Sequence, residues 1–243
     1  MKQQIQKNLN QPQQASWKQY AQLTVGSESI GALIKHELLT GLLVNFPGAL
    51  GLWLRRKLYP CLFADCGRGL IIGRNVTLRG TRKISLGDNV AIDDGSVLDA
   101  RGDDAVIVMG DRALVSRNSI LRARNGRIEI GEGCDIGANC ILATDSKLVL
   151  GDKGLVAAFC YVIAGGNHLY ADPDVPIMDQ GFQSRGGVAI GADVWLGSHC
   201  AVMDGVTIGK GAVIGAHSLV NKDLPENMVA WGSPAKAQKR RGE

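Results

Sequence analysis

IGADVWLGSHCAVMDGVTIGKGAVIGAHSLVN, residues 190–221, places an aliphatic side chain at every sixth position: Ile190, Leu196, Val202, Ile208, Ile214 and Val220. Gly usually follows. Four residues after the first five of them stand Val194, Cys200, Val206, Ala212 and Ser218, mostly small. The pattern extends upstream through Ile72, Leu86, Ile92, Leu98, Met109, Val115, Leu121, Ile130, Ile136, Leu142, Leu150, Val156 and Val162. A six-residue unit is one short strand plus a turn, and units of this kind stack into solenoids. Extra residues at 79–85, 99–108, 122–129 and 143–149 recur about once per three repeats. Three strands therefore make a coil, one corner of which bulges, and the fold is a parallel β-helix of triangular section. The aliphatic side chain points inward onto its counterpart one coil later. The Gly after it is expected to supply turn geometry that other residues resist. Coils about 4.8 Å apart, about eight of them, predict a prism on the order of 35–40 Å long. No coil buries its face alone, so the ends need caps.

The composition agrees. Of 243 residues 32 are Gly, and aromatics are only 5%, which suits a core of small and branched side chains better than a sandwich with aromatic anchors. Net charge is +4, with clusters at Arg55-Arg56-Lys57 and at Lys236, Lys239, Arg240 and Arg241. No basic stripe interleaved with aromatics points to nucleic acid. The Gln-rich start has no apolar signal region, so the expected compartment is the cytoplasm, with reduced cysteines. No C-x-x-C spacing suggests a metal site. Cys134, Cys140, Cys160 and Cys200 fall on the inward small position and are expected to be core.

Three segments follow. Residues 1–66 are expected to hold a disordered stretch, 1–26, and a helical cap. In that cap Ile30, Leu33, Ile34, Leu38 and Leu42 recur at helical spacing, and Pro47 opens a second helix carrying Leu50, Trp53, Leu54 and Leu58. Residues 67–225 form the β-helix, and 226–243 a basic tail. The stretch 38–57, apolar and ending in cations, could also lie at a membrane interface on the inner face.

The run 190–236, ending in Gly232-Ser233-Pro234-Ala235-Lys236, closely resembles the C-terminal half of hexapeptide-repeat acyltransferases, such as the maltose and galactoside, xenobiotic and polysaccharide O-acetyltransferases. Ser233 stands where the family has Asn. The resemblance covers about 65–243. It implies a left-handed β-helix, against the usual right-handed crossover. It also implies a homotrimer with acetyl-CoA between adjacent prisms, and an acetyl group moved to a hydroxyl of a saccharide, polysaccharide-linked or lipid-linked acceptor.

One break in the rhythm marks the site. After Val162 the next aliphatic-Gly pair is Ile190-Gly191, and the intervening loop, 165–187, carries His168 near its start. Long loops on rigid scaffolds are usually functional. Imidazole is a base near neutral pH, as acyl transfer to a hydroxyl requires. The family places its catalytic His here, one coil before the motif at Val194 to Gly197. Its orienting partner is left open among Asp172, Asp174 and Asp179. For the cofactor, the resemblance points to Trp195, Gly197, Ser198, Gly215 and Ala216 for pantetheine, and to Lys222, Lys236 and Arg240 for the phosphates. His199 and His217 are expected to be solvated turn residues, His199 with an option on the cofactor groove. His36 is expected at an interface.

Rivals fare worse. A zinc carbonic anhydrase on this scaffold needs three His per metal, and only four His exist, none spaced as H-x-x-x-x-H. A sugar nucleotidyltransferase needs a large domain in front. A non-catalytic scaffold would favour regular faces without the loop. An N-acetyltransferase acting on an amino sugar or antibiotic stays open.

Overall fold

The computed structural model describes residues 16–243. The part of the expected disorder that covers 1–15 lies outside the described residues. Three parallel sheets enclose one core. The first runs from Asp65–Cys66 through Ile84–Leu86, Val106–Met109, Arg127–Ile130, Lys147–Leu150 and Val188–Ile190 to Thr207–Ile208. The second runs from Ile71–Ile72 through Leu155–Val156, Trp195–Leu196 and Val213–Ile214 to Met228–Gly232. The third runs from Thr77–Arg79 through Val97–Arg101, Ile120–Arg124, Ile141–Thr144, Tyr161–Ala164 and Ala201–Val202 to Leu219–Val220. The chain visits them in that order, coil after coil, as a left-handed β-helix with a helical cap at its N-terminal end.

There are about seven coils, not eight. The reason is the corner between the third and first sheets. Its extra residues lengthen the strands on either side, to five residues in Val97–Arg101 and Ile120–Arg124, against two in most strands of the second sheet. Each coil thus consumes more chain than three perfect repeats. The 165–187 insertion leaves from this same corner.

The core is the predicted inward column. Ile72, Ile92, Val115, Ile136, Val156, Leu196 and Ile214 are all 0 or 1% exposed. Cys134, Cys140, Cys160 and Cys200 sit in the adjoining slot, buried and unbridged.

The glycines after the aliphatics have a different cause from the one expected. Left-handed φ occurs two residues later, at Asn118, Asn139, Phe159, His199 and His217, with φ between 58° and 63°. The glycines are instead points of close approach. A Cβ on Gly191 or Gly197 would lie 2.6 Å from the backbone nitrogen of Lys210 or Ala216 in the next coil.

At the N-terminal end, residues 16–25 are helical (Ser16–Val25), where loose attachment was expected. Ala21, Thr24 and Val25 are buried, and Gly80 N–H donates to Thr24 O at 2.8 Å. The helices Ile30–Leu43 and Gly48–Leu58 appear where the spacing and Pro47 predict them; Leu54 packs against the core, but most of the named apolar residues face outward. Ile30, Ile34, Leu38, Leu42, Leu50, Trp53 and Leu58 are exposed, while His36, Leu43, Gly51 and Arg55 are buried. Arg55 is not a surface cation. Its guanidinium donates to Leu43 O and Ile72 O, both at 2.8 Å, and to Phe46 O at 2.9 Å, tying both helices to the first coil. Leu43, Tyr59, Leu62 and Phe63 close the core there.

The expected basic tail is a hairpin. Met228–Gly232 adds to the second sheet beside Val213–Ile214, and Ala235–Arg240 pairs back antiparallel. The strand Ala235–Arg240 reads AKAQKR, with no hydrophobic alternation to reveal it. Its lysines suit an exposed edge.

Candidate functional site

His168 stands where the insertion leaves the prism. Asn167–His168 forms a short antiparallel ladder with Phe182–Gln183, so the insertion folds back on itself. The exposed His168 ring meets Phe182 edge-on, centroids 6.4 Å apart. It opens on a cavity of about 640 Å³ between the loop and the third sheet. Arg122, Arg124, Asp145 and Ile163 line the prism side, and Ile177, Met178, Asp179 and Phe182 the loop side.

One buried carboxylate holds both ends of the insertion. Asp204, 4% exposed, accepts from Asn167 Nδ2 at 2.9 Å, Arg185 N at 2.5 Å and Gly187 N at 2.9 Å. The entry and exit strands of the loop are thereby fixed next to each other. Nothing in the hexad rhythm distinguished Asp204 beforehand. The available signal was a carboxylate just past an inward aliphatic, where polar burial needs partners.

Of the three aspartates left open as partners for His168, Asp179 lines the cavity with it. Asp172 serves the loop instead: its carboxylate accepts from Asp174 N at 3.0 Å, and Gln180 Nε2 donates to its carbonyl at 2.7 Å. Asp145 is a fourth carboxylate, unexpected from sequence. Its Oδ2 lies 3.3 Å from where a Cβ on Gly166 would be, against the root of the loop. Burial pushes its carboxyl above the usual range, against the pull of Arg124 and Arg122. Burial lowers Arg124, and like charge on Arg122 adds to this.

The expected cofactor residues divide among three corners. Gly197, Ser198, Gly215 and Ala216 stack on successive coils at the corner between the second and third sheets, where His217 N–H donates to Ser198 O at 2.9 Å. Trp195 is half-exposed on the sheet leading into that corner, and Lys236 is near, paired with Trp231 in the hairpin. Lys222 lies past Val220 at the opposite corner, and Arg240 pairs with Met228 at the far end of the hairpin. His199 and His217 are exposed turn residues, as expected. They are also stacked, with Phe159, into a three-ring ladder of 4.8 and 4.6 Å spacing. Phe159 at φ 63° is a bulky residue in a conformation such side chains seldom adopt. His36 is buried in the cap, with neither ring nitrogen hydrogen-bonded.

His168 and the Gly197–Gly215 corner therefore occupy opposite edges of the third sheet in one chain. A strand of about five residues at roughly 3.3 Å each separates them by on the order of 15–20 Å.

Comparison with known proteins adds the following. The family model described as Bacterial transferase hexapeptide (six repeats) matches residues 187–222. The probable acetyltransferase Rv3034c of Mycobacterium tuberculosis is 34% identical over 137 residues, 56% of this chain and 45% of that protein. A chloramphenicol acetyltransferase of Morganella morganii is 36% identical over 110 residues, 37% of this chain and 52% of that one. The chain thus spans about half the length of these relatives. Among solved structures, a variant of AntD, an N-acyltransferase from Bacillus cereus in complex with dTDP and coenzyme A, superposes with TM-score 0.52 over 82% of this chain and 91% of that one. At 22% identity it shares the fold.

Proposed function

We propose that this chain, which belongs to the hexapeptide-repeat acyltransferase family, moves an acetyl group from acetyl-CoA to a hydroxyl of a saccharide acceptor, with His168 as general base. The observation that carries this is the placement of His168: it sits at the root of the long insertion, on a roomy cavity, with that root clipped by Asp204. His168 takes the acceptor proton as the oxygen attacks the thioester carbon. The C–S bond breaks from the tetrahedral adduct, and the imidazolium returns the proton to the departing CoA sulfur. Turn N–H groups hold the oxyanion. Direct attack needs no covalent acyl-enzyme, and the four cysteines of the repeat are buried in the core.

The cofactor lies along the corner of Gly197, Ser198, Gly215 and Ala216, with Trp195 beside it and Lys236 near the phosphates. Lys222 and Arg240 stand at other corners and are assigned to a neighbouring copy's cofactor or to none. The separation of this corner from His168 in one chain supports a homotrimer in which His168 of one copy faces the corner of the next. An exposed apolar surface on the same edge (Leu155, Phe159, Tyr161 and Trp195) supports it too.

Among the described residues no helix is long and apolar enough to cross a membrane. The exposed stripe of Leu38, Leu42, Phe46, Leu50 and Trp53, flanked by Arg56 and Lys57, supports peripheral contact with the inner membrane face in addition to capping. Cytoplasmic placement goes with this proposal. An amine acceptor is the competing chemistry. Thiol release from acetyl-CoA against matched hydroxy and amino sugars decides between them, and no release with either refutes the proposal.

A further inference from the structure

The acceptor cavity places two arginines on its prism side, with Asp145 beside them and Asp179 on the loop side. In the strand Ile120–Arg124, Leu121 and Ala123 point into the core, so Arg122 and Arg124 both point outward into the cavity. Side chains two apart on one strand face are about 7 Å apart, so two half-buried cations stand side by side. Five other outward arginines of the prism hold carboxylates: Arg68 with Asp88, Arg74 with Asp94, Arg112 with Glu132, Arg117 with Asp93 and Arg127 with Glu129. Among the described residues, Arg122 and Arg124 form no direct ion pair.

Carboxylates do border the pair. One rung below, Asp99 pairs in register with Arg122, yet both its oxygens are taken by Arg101, through Nε and Nη2 at 2.6 Å each. Asp145 faces the cavity and packs against the root of the loop at Gly166, and it attracts Arg124 and Arg122 from beyond direct ion-pair contact. Asp179 contributes from the loop side. Partly desolvated like charges are unfavourable unless an anion completes them. The guanidinium fork suits a carboxylate or phosphate that can accept two parallel N–H bonds.

We propose that Arg122 and Arg124 bind an anionic group, carboxylate or phosphate, of the acceptor whose hydroxyl meets His168. The acceptor is thus an acidic or phosphorylated sugar rather than a neutral one. This rests on the acyl-transfer proposal for its catalytic consequence but not for the binding itself. Ile177, Met178 and Phe182 cover the cavity with apolar surface, which strengthens charge pairing by excluding water.

The test uses the full chain and three probes: glucose 1-phosphate, glucuronate and glucose. Binding is measured by titration calorimetry and transfer by thiol release from acetyl-CoA. One charged sugar is expected to bind at least about tenfold more tightly than glucose, and Arg124→Met to remove at least about tenfold of that affinity. Preference between the two charged probes identifies phosphate or carboxylate. Arg122→Gln provides the second variant should Arg124→Met fail to fold, with circular dichroism as the check. Equal binding of all three sugars, or charged-sugar binding undiminished in the folded variants, overturns the proposal. Charged-sugar binding that both variants weaken, with no thiol release from any acceptor, upholds the anion site and removes the acyl-transfer proposal.

Discussion

Replacing Asp204 should loosen the insertion without dissolving the prism. Its Oδ2 accepts two hydrogen bonds, from Asn167 Nδ2 and Arg185 N, and its Oδ1 accepts one from Gly187 N. Hydrogen bonds to a charged group contribute about 1.5–3 kcal/mol each, and those sharing one acceptor do not add fully. Asp204→Ala is therefore expected to remove about 3–5 kcal/mol from closure of the loop. Asp204→Asn can keep its oxygen on the two Oδ2 donors, but it turns an NH2 toward Gly187 N–H, and should lose about 1.5–3 kcal/mol. At about 1.4 kcal/mol per factor of ten, the open population rises by roughly 10² to 4 × 10³ for Ala and roughly 10–10² for Asn. Limited proteolysis within 165–187 reads that population when closing outpaces cleavage. Transfer assays should show the same order in kcat, since His168 loses its fixed geometry. The KM for acetyl-CoA should hardly move, because Asp204 is remote from the Gly197–Gly215 corner. Cleavage of Asp204→Ala at the wild-type rate would refute the clip, and an unchanged kcat would refute its role in positioning His168.

Gly187→Ala should be among the most damaging small changes. Its Cβ would lie 2.1 Å from Lys147 O at a φ of 99°, and a fall in melting temperature of several degrees checks it. A thiol reagent should label Cys61 in the native protein, leave Cys134, Cys140, Cys160 and Cys200 untouched, and find six thiols after denaturation. Cys66 should react slowly, its thiol pushed up to about 11 by burial. Acid should loosen the cap through His36. Burial lowers its pKa in the folded state, so the unfolded chain takes up a proton first, and stability falls as pH drops below about 6.5 toward the folded value. His36→Leu should flatten that slope in thermal melts between about pH 4.5 and 6.5, and an unchanged slope would clear His36.

The β-helix was legible because its signal repeats. Each coil restates the inward aliphatic, and an error in one copy is outvoted by its neighbours. The cap was legible in position but not in orientation. Its stripe of Ile30, Ile34, Leu38 and Leu42 reads as a core face, yet the first coil is closed by Leu43, Tyr59 and the buried guanidinium of Arg55. Periodicity finds a helix and its apolar side but not what that side meets. The hairpin Ala235–Arg240 escaped because its pairing rests on backbone hydrogen bonds. His168 was legible as an interruption of the rhythm. Asp204, Asp145 and the Arg122–Arg124 pair were not, since each lies many residues from His168 in sequence and reaches it only through the stacking of coils. The three-ring ladder was hidden similarly: Phe159 and His199 share a corner only because a 40-residue coil, insertion included, returns the chain to the same register (Leu155 on Trp195).

The most direct test of the central claim is thiol release from acetyl-CoA by the full chain in the presence of acidic and phosphorylated sugars, wild type beside His168→Ala. The account predicts transfer by the wild type and a kcat/KM about 10²–10⁴-fold lower in the variant, with assembly unchanged by sedimentation. Wild-type turnover by His168→Ala would contradict it.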